Sequence, residues 1–126
     1  MDQSMIDKGL KVRREVTGDE AVDRELSSVT EFQRPLFELV TAYCFGEVWG
    51  RPAMDAKMRA LITAGIAAGA NREFAVRAHV RNALKAGATK EELQELNLHV
   101  AIYAGVPAAA TMMQIMVQTM KDMGIE

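Results

Sequence analysis

Apolar positions along the chain recur at helical spacing and never alternate over a β-branched run, so the pattern predicts helices and no strands. The first predicted helix runs from about Ser4 to Val16 and stops at Thr17-Gly18. Asp19 caps a second through about Ser28. Thr30 caps a third, with Glu31 in its first turn, and this one reaches Trp49. Pro35 lies early enough in it to move the start by a turn. Gly50-Arg51-Pro52 ends it, and Asp55 caps a fourth through Ala70, where Asn71 breaks the chain. The fifth spans Arg72 to Ala86 and closes at Gly87, a left-handed terminator. Thr89-Lys90-Glu91-Glu92 forms a capping box for the sixth. Gly105-Val106-Pro107 ends the sixth and opens a seventh, which stops near Gly124. No linker, low-complexity stretch or repeat interrupts this series, so a single all-α domain over residues 1–126, of about six or seven helices, is expected.

Two of these helices are apolar nearly all round. The fourth carries Ala60-Leu61-Ile62-Thr63-Ala64-Gly65-Ile66-Ala67-Ala68-Gly69-Ala70, rich in small residues that let helices approach closely. The seventh carries Met112, Met113, Ile115, Met116, Val117, Met120 and Met123. A helix without a polar face is usually buried. A domain this small can hardly bury both in its own core, so one is expected to face another subunit of a homo-oligomer. The alternative is a methionine-filled monomer core.

Polar residues inside apolar stripes mark candidate chemistry. At about 100° per residue, Phe32, Leu36, Leu39, Val40 and Tyr43 share one stripe of the third helix, and Glu47 falls within it. A carboxylate there is desolvated unless paired, and desolvation favours its protonated form. The bland reading is a partly exposed Glu at a frayed end, paired with Arg51. His79 lies among Val76, Val80 and Ala83 on the inner face of the fifth helix, opposite Arg77, Arg81 and Lys85. Most inward histidines are simply satisfied core residues, but a buried Glu and a buried His together supply acid–base chemistry near neutral pH. His99 sits nearer the polar flank of the sixth helix, with Glu95 as a surface partner and Tyr103 one turn on. Arg51 and Arg59 are candidate carboxylate clamps or surface ion-pair formers, and Trp49 is a pocket wall or a packing residue.

Composition narrows the class. The chain has 126 residues, is 49% hydrophobic and 25% charged, and has a formal net charge of −2. These values suit a globular protein with a core that needs no staples. No basic stripe suggests nucleic acid, and no apolar run reaches the roughly 18 residues of a membrane span. The start lacks a signal-peptide pattern, so a cytoplasmic protein is expected. The one cysteine, Cys44, permits neither an internal disulfide nor a CxxC pair and reads as a small buried hydrophobe. Two histidines and one cysteine, far apart, give no metal-site spacing, and no nucleotide-binding or nucleophile-elbow motif occurs.

Several segments carry a family resemblance. Lys11-Val12-Arg13-Arg14-Glu15-Val16-Thr17-Gly18-Asp19-Glu20 resembles the opening of gamma-carboxymuconolactone decarboxylases. Tyr43-Cys44-Phe45-Gly46-Glu47-Val48-Trp49-Gly50-Arg51-Pro52 is similar to their "GEVWGRPGLD" segment. His79-Val80-Arg81-Asn82-Ala83-Leu84 resembles their "HxRxAL" element. The run from His99 to Ala109 (His99-Val100-Ala101-Ile102-Tyr103-Ala104-Gly105-Val106-Pro107-Ala108-Ala109) resembles "VAIYxGVPAA". The match covers nearly the whole chain in order.

The resemblance implies the all-α fold shared with alkylhydroperoxidases of the AhpD type and ring-shaped homo-oligomers, often hexamers. The peroxidase branch carries C-x-x-C-x-x-x-H. With His79 as its histidine, the cysteine positions hold Arg72 and Ala75, so thiol redox chemistry is absent here. The branch's upstream acid is also missing, since Ala60 follows Arg59. The fourth helix is smaller in side chains than the usual leucine-rich version, which would reshape a pocket.

The substrate so implied is 4-carboxymuconolactone, an intermediate of protocatechuate breakdown, decarboxylated without a cofactor or metal to 3-oxoadipate enol-lactone. Its departing carboxylate sits on a carbon joined through a double bond to the lactone carbonyl, so the electrons released there flow into that carbonyl and the substrate is its own electron sink. The protein must hold the remaining carboxylate, stabilise the dienolate oxygen and see carbon protonated. The resemblance then gives His79 as proton donor or oxyanion partner and Glu47 as its tuner or as the acid. It leaves Arg51, Arg59, Trp49, His99 and Tyr103 to bind substrate. Competing readings are a cofactor-free lactone isomerase or hydrolase on another small acid, and a helical oligomer that only binds a ligand.

Overall fold

In a computed structural model describing residues 1–126, seven α-helices and one π-helical segment account for the regular structure, with no strand. The chain clusters into two compact units, Met1–Met54 and Asp55–Glu126.

The first unit contains α1 (Gln3–Thr17), α2 (Asp19–Ser28), α3 (Arg34–Leu39) and a π-helix (Val40–Trp49). Asp2 caps α1 by accepting the Met5 N–H at 3.0 Å, and Gly18, at φ 94°, turns the chain into α2. Arg14 clasps that turn through Asp19 (3.3 Å) and Asp23 (2.8 Å). Thr30 and Gln33 exchange the hydrogen bonds of a cap, yet the helix proper starts at Arg34 with Pro35 in its first turn. The proline has no N–H to offer and shifts the start by that turn. The expected third helix is therefore two pieces, of which the second follows the i→i+5 pattern.

Small residues explain how this π-helix packs. Its inner face is Thr41, Ala42, Phe45 and Gly46. Gly9 of α1 lies so close that a Cβ there would stand 1.9 Å from the Thr41 carbonyl oxygen, and Gly46 faces Gly9. The large apolar stripe points away from this contact. Phe32 is 92% exposed, Leu36 67%, and Leu39 and Tyr43 about half. The expectation that this stripe is the buried face is corrected: close backbone approach selects the small-residue side.

The second unit contains α4 (Ala56–Gly69), α5 (Glu73–Lys85), α6 (Lys90–Tyr103) and α7 (Val106–Asp122). Asp55 caps α4 by accepting the Met58 N–H at 2.8 Å. Asn71 takes a left-handed conformation (φ 59°) in the turn to α5. Thr89 and Glu92 form the expected capping box at 3.0 and 2.9 Å, and Glu92 also pairs with Lys57 at 3.1 Å, tying the start of α6 to the start of α4. The core gathers Ala64, Ala67 and Ala68 of α4, Val76 and Val80 of α5, Leu93 and Val100 of α6, and Ala109, Met112, Ile115 and Met116 of α7. The alanines bring α4 close to its neighbours, and unbranched methionines fill the remaining space. Buried Asn97 donates to the Ala109 carbonyl at 2.8 Å, a polar tie between α6 and α7. No helix is long and apolar enough to cross a membrane.

The Gly9 contact makes a sharp prediction. Gly9→Ala drives a methyl into main-chain atoms that cannot rotate away, so the variant should lose about 3 kcal/mol or more of stability. Urea denaturation checks this; an unchanged midpoint would mean that α1 and the π-helix do not meet there.

Candidate active site

His79 is held by the packing of α5. Val76, Val80 and Ala83 are buried, as the spacing predicts, and the imidazole between them is half-buried. Burial pushes its pKa below the usual histidine value. Asn82, three residues on and 5% exposed, places its amide nitrogen 3.3 Å from His79 Nδ1. Sequence reasoning passed over Asn82, although it stands in the His79–Leu84 segment. The available signal was a second polar residue on an otherwise aliphatic face, one helical turn from the first.

Glu47 differs from expectation. Its side chain is 55% exposed, and Lys8 of α1 stands 3.8 Å away. It does share a side with Tyr43, but that side faces outward, so the desolvation expected there is absent. The Trp49 ring packs on Phe45 (centroids 5.9 Å apart) and its N–H donates to Cys44. Cys44 lies at the surface rather than in the core, a further correction, yet partial burial of the thiol still pushes its pKa up. Arg51 is exposed in the turn after the π-helix.

In the second unit, Arg59 is half-buried on α4, and its carbonyl accepts from the Thr63 hydroxyl at 2.7 Å. His99 is exposed. Its Nδ1–H donates to the Glu95 carbonyl at 3.0 Å, and its ring stacks on Tyr103, which is 87% exposed. The structure thus brings His99 to Tyr103 and His79 to Asn82. A cavity of about 170 Å³ opens at the α4–α5 turn between Ala68, Asn71, Arg72, Glu73, Val76 and Met112. It includes none of the residues selected from sequence, though Val76 stands one turn before His79. No cluster of three or more His, Cys, Asp or Glu is placed to hold a metal.

Arg13 is the other residue that sequence missed. Its guanidinium lies 4.6 Å from the Phe37 ring centroid and 5.0 Å from that of Phe45, donates to Thr41 at 2.8 Å and pairs with Glu25. Nothing in its neighbours, Lys11 to Arg14, distinguishes an inward cation from a surface one. Its task is to tie α1, α2 and the π-helix together.

The sequence model of the carboxymuconolactone decarboxylase family matches residues 34–118. A 4-carboxymuconolactone decarboxylase of Acinetobacter baylyi is 36% identical over 124 residues, covering 98% of this chain and 92% of that protein. A nitrosuccinic acid decarboxylase of Metarhizium robertsii is 37% identical over 123 residues, covering 98% and 86%. An uncharacterized 15.0 kDa protein of Paracoccus denitrificans is 40% identical over 73 residues, covering 56% and 54%. The chain belongs to the carboxymuconolactone decarboxylase family.

The lowered pKa of His79 has a consequence for stability. The unfolded chain takes up this proton first as pH falls, so native stability is fully present above about 6.5 and declines below it until the folded-state value is passed. Unfolding free energy should therefore rise with pH across the interval just under 6.5, and His79→Gln should flatten that rise. Asp2 and Glu92, whose pKa values are also lowered, act in the carboxylate range and leave this interval clear. An undiminished slope in the variant would mean that His79 is not shielded in the folded state.

Proposed function

We propose that this chain is a carboxy-lyase that releases carbon dioxide from a small, multiply charged acid carrying its own electron sink. The observation that carries the reading is similarity over 98% of the chain to two decarboxylases that differ in substrate. In 4-carboxymuconolactone the sink is the conjugated lactone carbonyl. In nitrosuccinic acid it is the nitro group on the carbon that bears a carboxylate. Both keep a second carboxylate after decarboxylation, so one anion must be held while the other leaves. Identity to the two relatives is nearly equal, and both acids are therefore candidate substrates, the lactone first because of the motif match in the His99–Ala109 segment.

Breaking the carbon–carboxylate bond leaves its electron pair on the substrate, as a dienolate or a nitronate, and a proton then adds to carbon. His79 faces the developing negative charge as proton donor or oxyanion partner. Arg59 and Arg51 are the cations suited to the retained carboxylate. Glu47 is the alternative carrier of the proton, and Trp49, His99 and Tyr103 are substrate-contact candidates. The protein works in the cytoplasm as a homo-oligomer, with a hexamer expected. Exposed Ile62 and Ile66 on α4, Leu98 and Ile102 on α6, and Val106 support self-association, since large apolar side chains in such number are seldom left to water.

The test is an ultraviolet assay on enzymatically generated 4-carboxymuconolactone and on nitrosuccinic acid, with carbon dioxide captured as the second readout. Carbon dioxide from either acid supports a carboxy-lyase and selects its substrate. Ring opening without it would indicate a lactone hydrolase, and no reaction of either acid would favour a binding protein. His79→Ala should lower turnover at least ~100-fold. A folded, correctly assembled variant that keeps its turnover would take His79 out of the mechanism.

A further inference from the structure

On the decarboxylase reading above, we propose that Asn82 is a positioning residue that fixes His79 as a neutral, Nε2–H imidazole, so that the ring serves as a hydrogen-bond donor to the substrate's oxyanion and not as the acid that protonates carbon.

The geometry sets the tautomer. The Asn82 amide N–H donates to His79 Nδ1 across 3.3 Å, which requires a lone pair on Nδ1 and therefore places the single ring proton on Nε2. Asn82 has little freedom to turn to another partner, because it is 5% exposed and its neighbour Ala83 is fully buried. An imidazolium would set Nδ1–H against that N–H, so the contact opposes protonation, in the same direction as burial of the ring. Of the helices packed against α5, α4 carries Lys57 and Arg59 but no carboxylate, and α7 carries only Lys121 and Asp122, at its far end. On α5 itself the charged residues are Glu73, Arg77, Arg81 and Lys85. Across these three helices the cations outnumber the acids.

A neutral imidazole is a poor proton source, because loss of its Nε2–H would leave an imidazolate. It is a good electrophile: a neutral N–H aimed at an enolate-type oxygen stabilises developing charge without transferring a proton. The step then balances as follows. The carbon–carboxylate bond breaks, carbon dioxide leaves, the electron pair moves to the carbonyl or nitro oxygen facing Nε2–H, and the proton that ends on carbon comes from solvent water. His99 makes the opposite arrangement, donating its Nδ1–H to the Glu95 carbonyl, which gives an internal contrast.

The test uses the full-length protein labelled with ¹⁵N-histidine, with His99→Gln assigning the two rings. Near pH 7.5, wild-type His79 should show a protonated Nε2 and a lone pair on Nδ1. In Asn82→Asp the carboxylate should draw the proton to Nδ1 and move titration of the ring to higher pH. Wild-type kcat/KM should climb to a plateau as pH rises through the His79 titration, because the neutral ring is the active form. Asn82→Asp should lose about 100-fold in kcat with little change in KM, the cost of a misplaced proton. A protonated Nδ1 in the wild type, or a rate that falls as His79 deprotonates, would overturn the proposal. The tautomer is read without substrate, so absence of carbon dioxide release from either acid would sink the decarboxylase reading separately. If Asn82→Asp does not fold, the wild-type spectrum and pH profile still decide.

Discussion

The rotational setting of α5 is the constraint on which the proposed chemistry depends. Val76, Val80 and Ala83 are driven into the core of the second unit, each with 2% or less of its surface exposed. With those three inside, Asn82 has to go inside as well, and His79 has to lie along the margin. Burying an amide without a partner costs on the order of 1–3 kcal/mol. The bond to Nδ1 offsets part of that cost, so the asparagine needs the histidine as much as the imidazole needs orientation. Turning the helix by one position to expose Asn82 would pull Val76, Val80 and Ala83 out of contact with α4 and α7. Aliphatic packing thus holds a polar pair in one geometry.

This arrangement suits a reaction in which the substrate provides the electron sink. Such chemistry asks little of a protein beyond cations for the anionic groups and a donor where negative charge appears. A small, alanine-rich helical unit can meet those demands without a loop-built site. It also fits a family in which proteins nearly equally similar to this chain bear the names of different acids. When the group that accepts the electrons travels with the substrate, specificity lies in the shape around it and in where the second carboxylate is held.

Much of the fold was legible because the chain states its own boundaries. Asp55 and Thr89 cap helices as expected, Gly18 rather than Asp19 precedes α2, and Gly18, Gly87 and Gly105 end or redirect helices with positive φ. All are short-range signals. The placement of His79 on the core side of α5 was partly legible, since α5 is a regular helix with one charged face, but the ring is half-buried at the margin and not fully inside. What failed was the choice of face on the third predicted helix. Two candidate faces existed there, a large apolar one through Phe32, Leu36 and Tyr43 and a small one through Thr41, Ala42 and Gly46. Hydrophobicity favours the first. The backbone contact with Gly9, thirty-odd residues earlier in the chain, selects the second. Arg13 was hidden for a similar reason: its partners Glu25, Phe37, Thr41 and Phe45 are scattered over later segments, and no local pattern announces them.

The outward stripe changes how Glu47 must be understood. With Lys8 at 3.8 Å and more than half its side chain in water, the carboxylate is solvated and loosely paired. An exposed pair of this kind contributes little, on the order of 0–1 kcal/mol, and salt screens it. Tyr43 stands one turn before it, and Phe32, Leu36 and Leu39 are exposed further toward the start of the same segment, an amount of apolar surface that a protein seldom leaves uncovered. Under the proposed self-association, a second copy seated on this stripe would remove water from the Glu47–Lys8 pair as well. Screening would then weaken and the same two charges would act more strongly on anything bound nearby. His79 needs no such help, because its shielding is built into α5. The two candidate residues therefore stand on different footings: one is shielded by the fold of a single unit, and the other is solvated in the single chain and would gain a water-poor setting only under the proposed self-association.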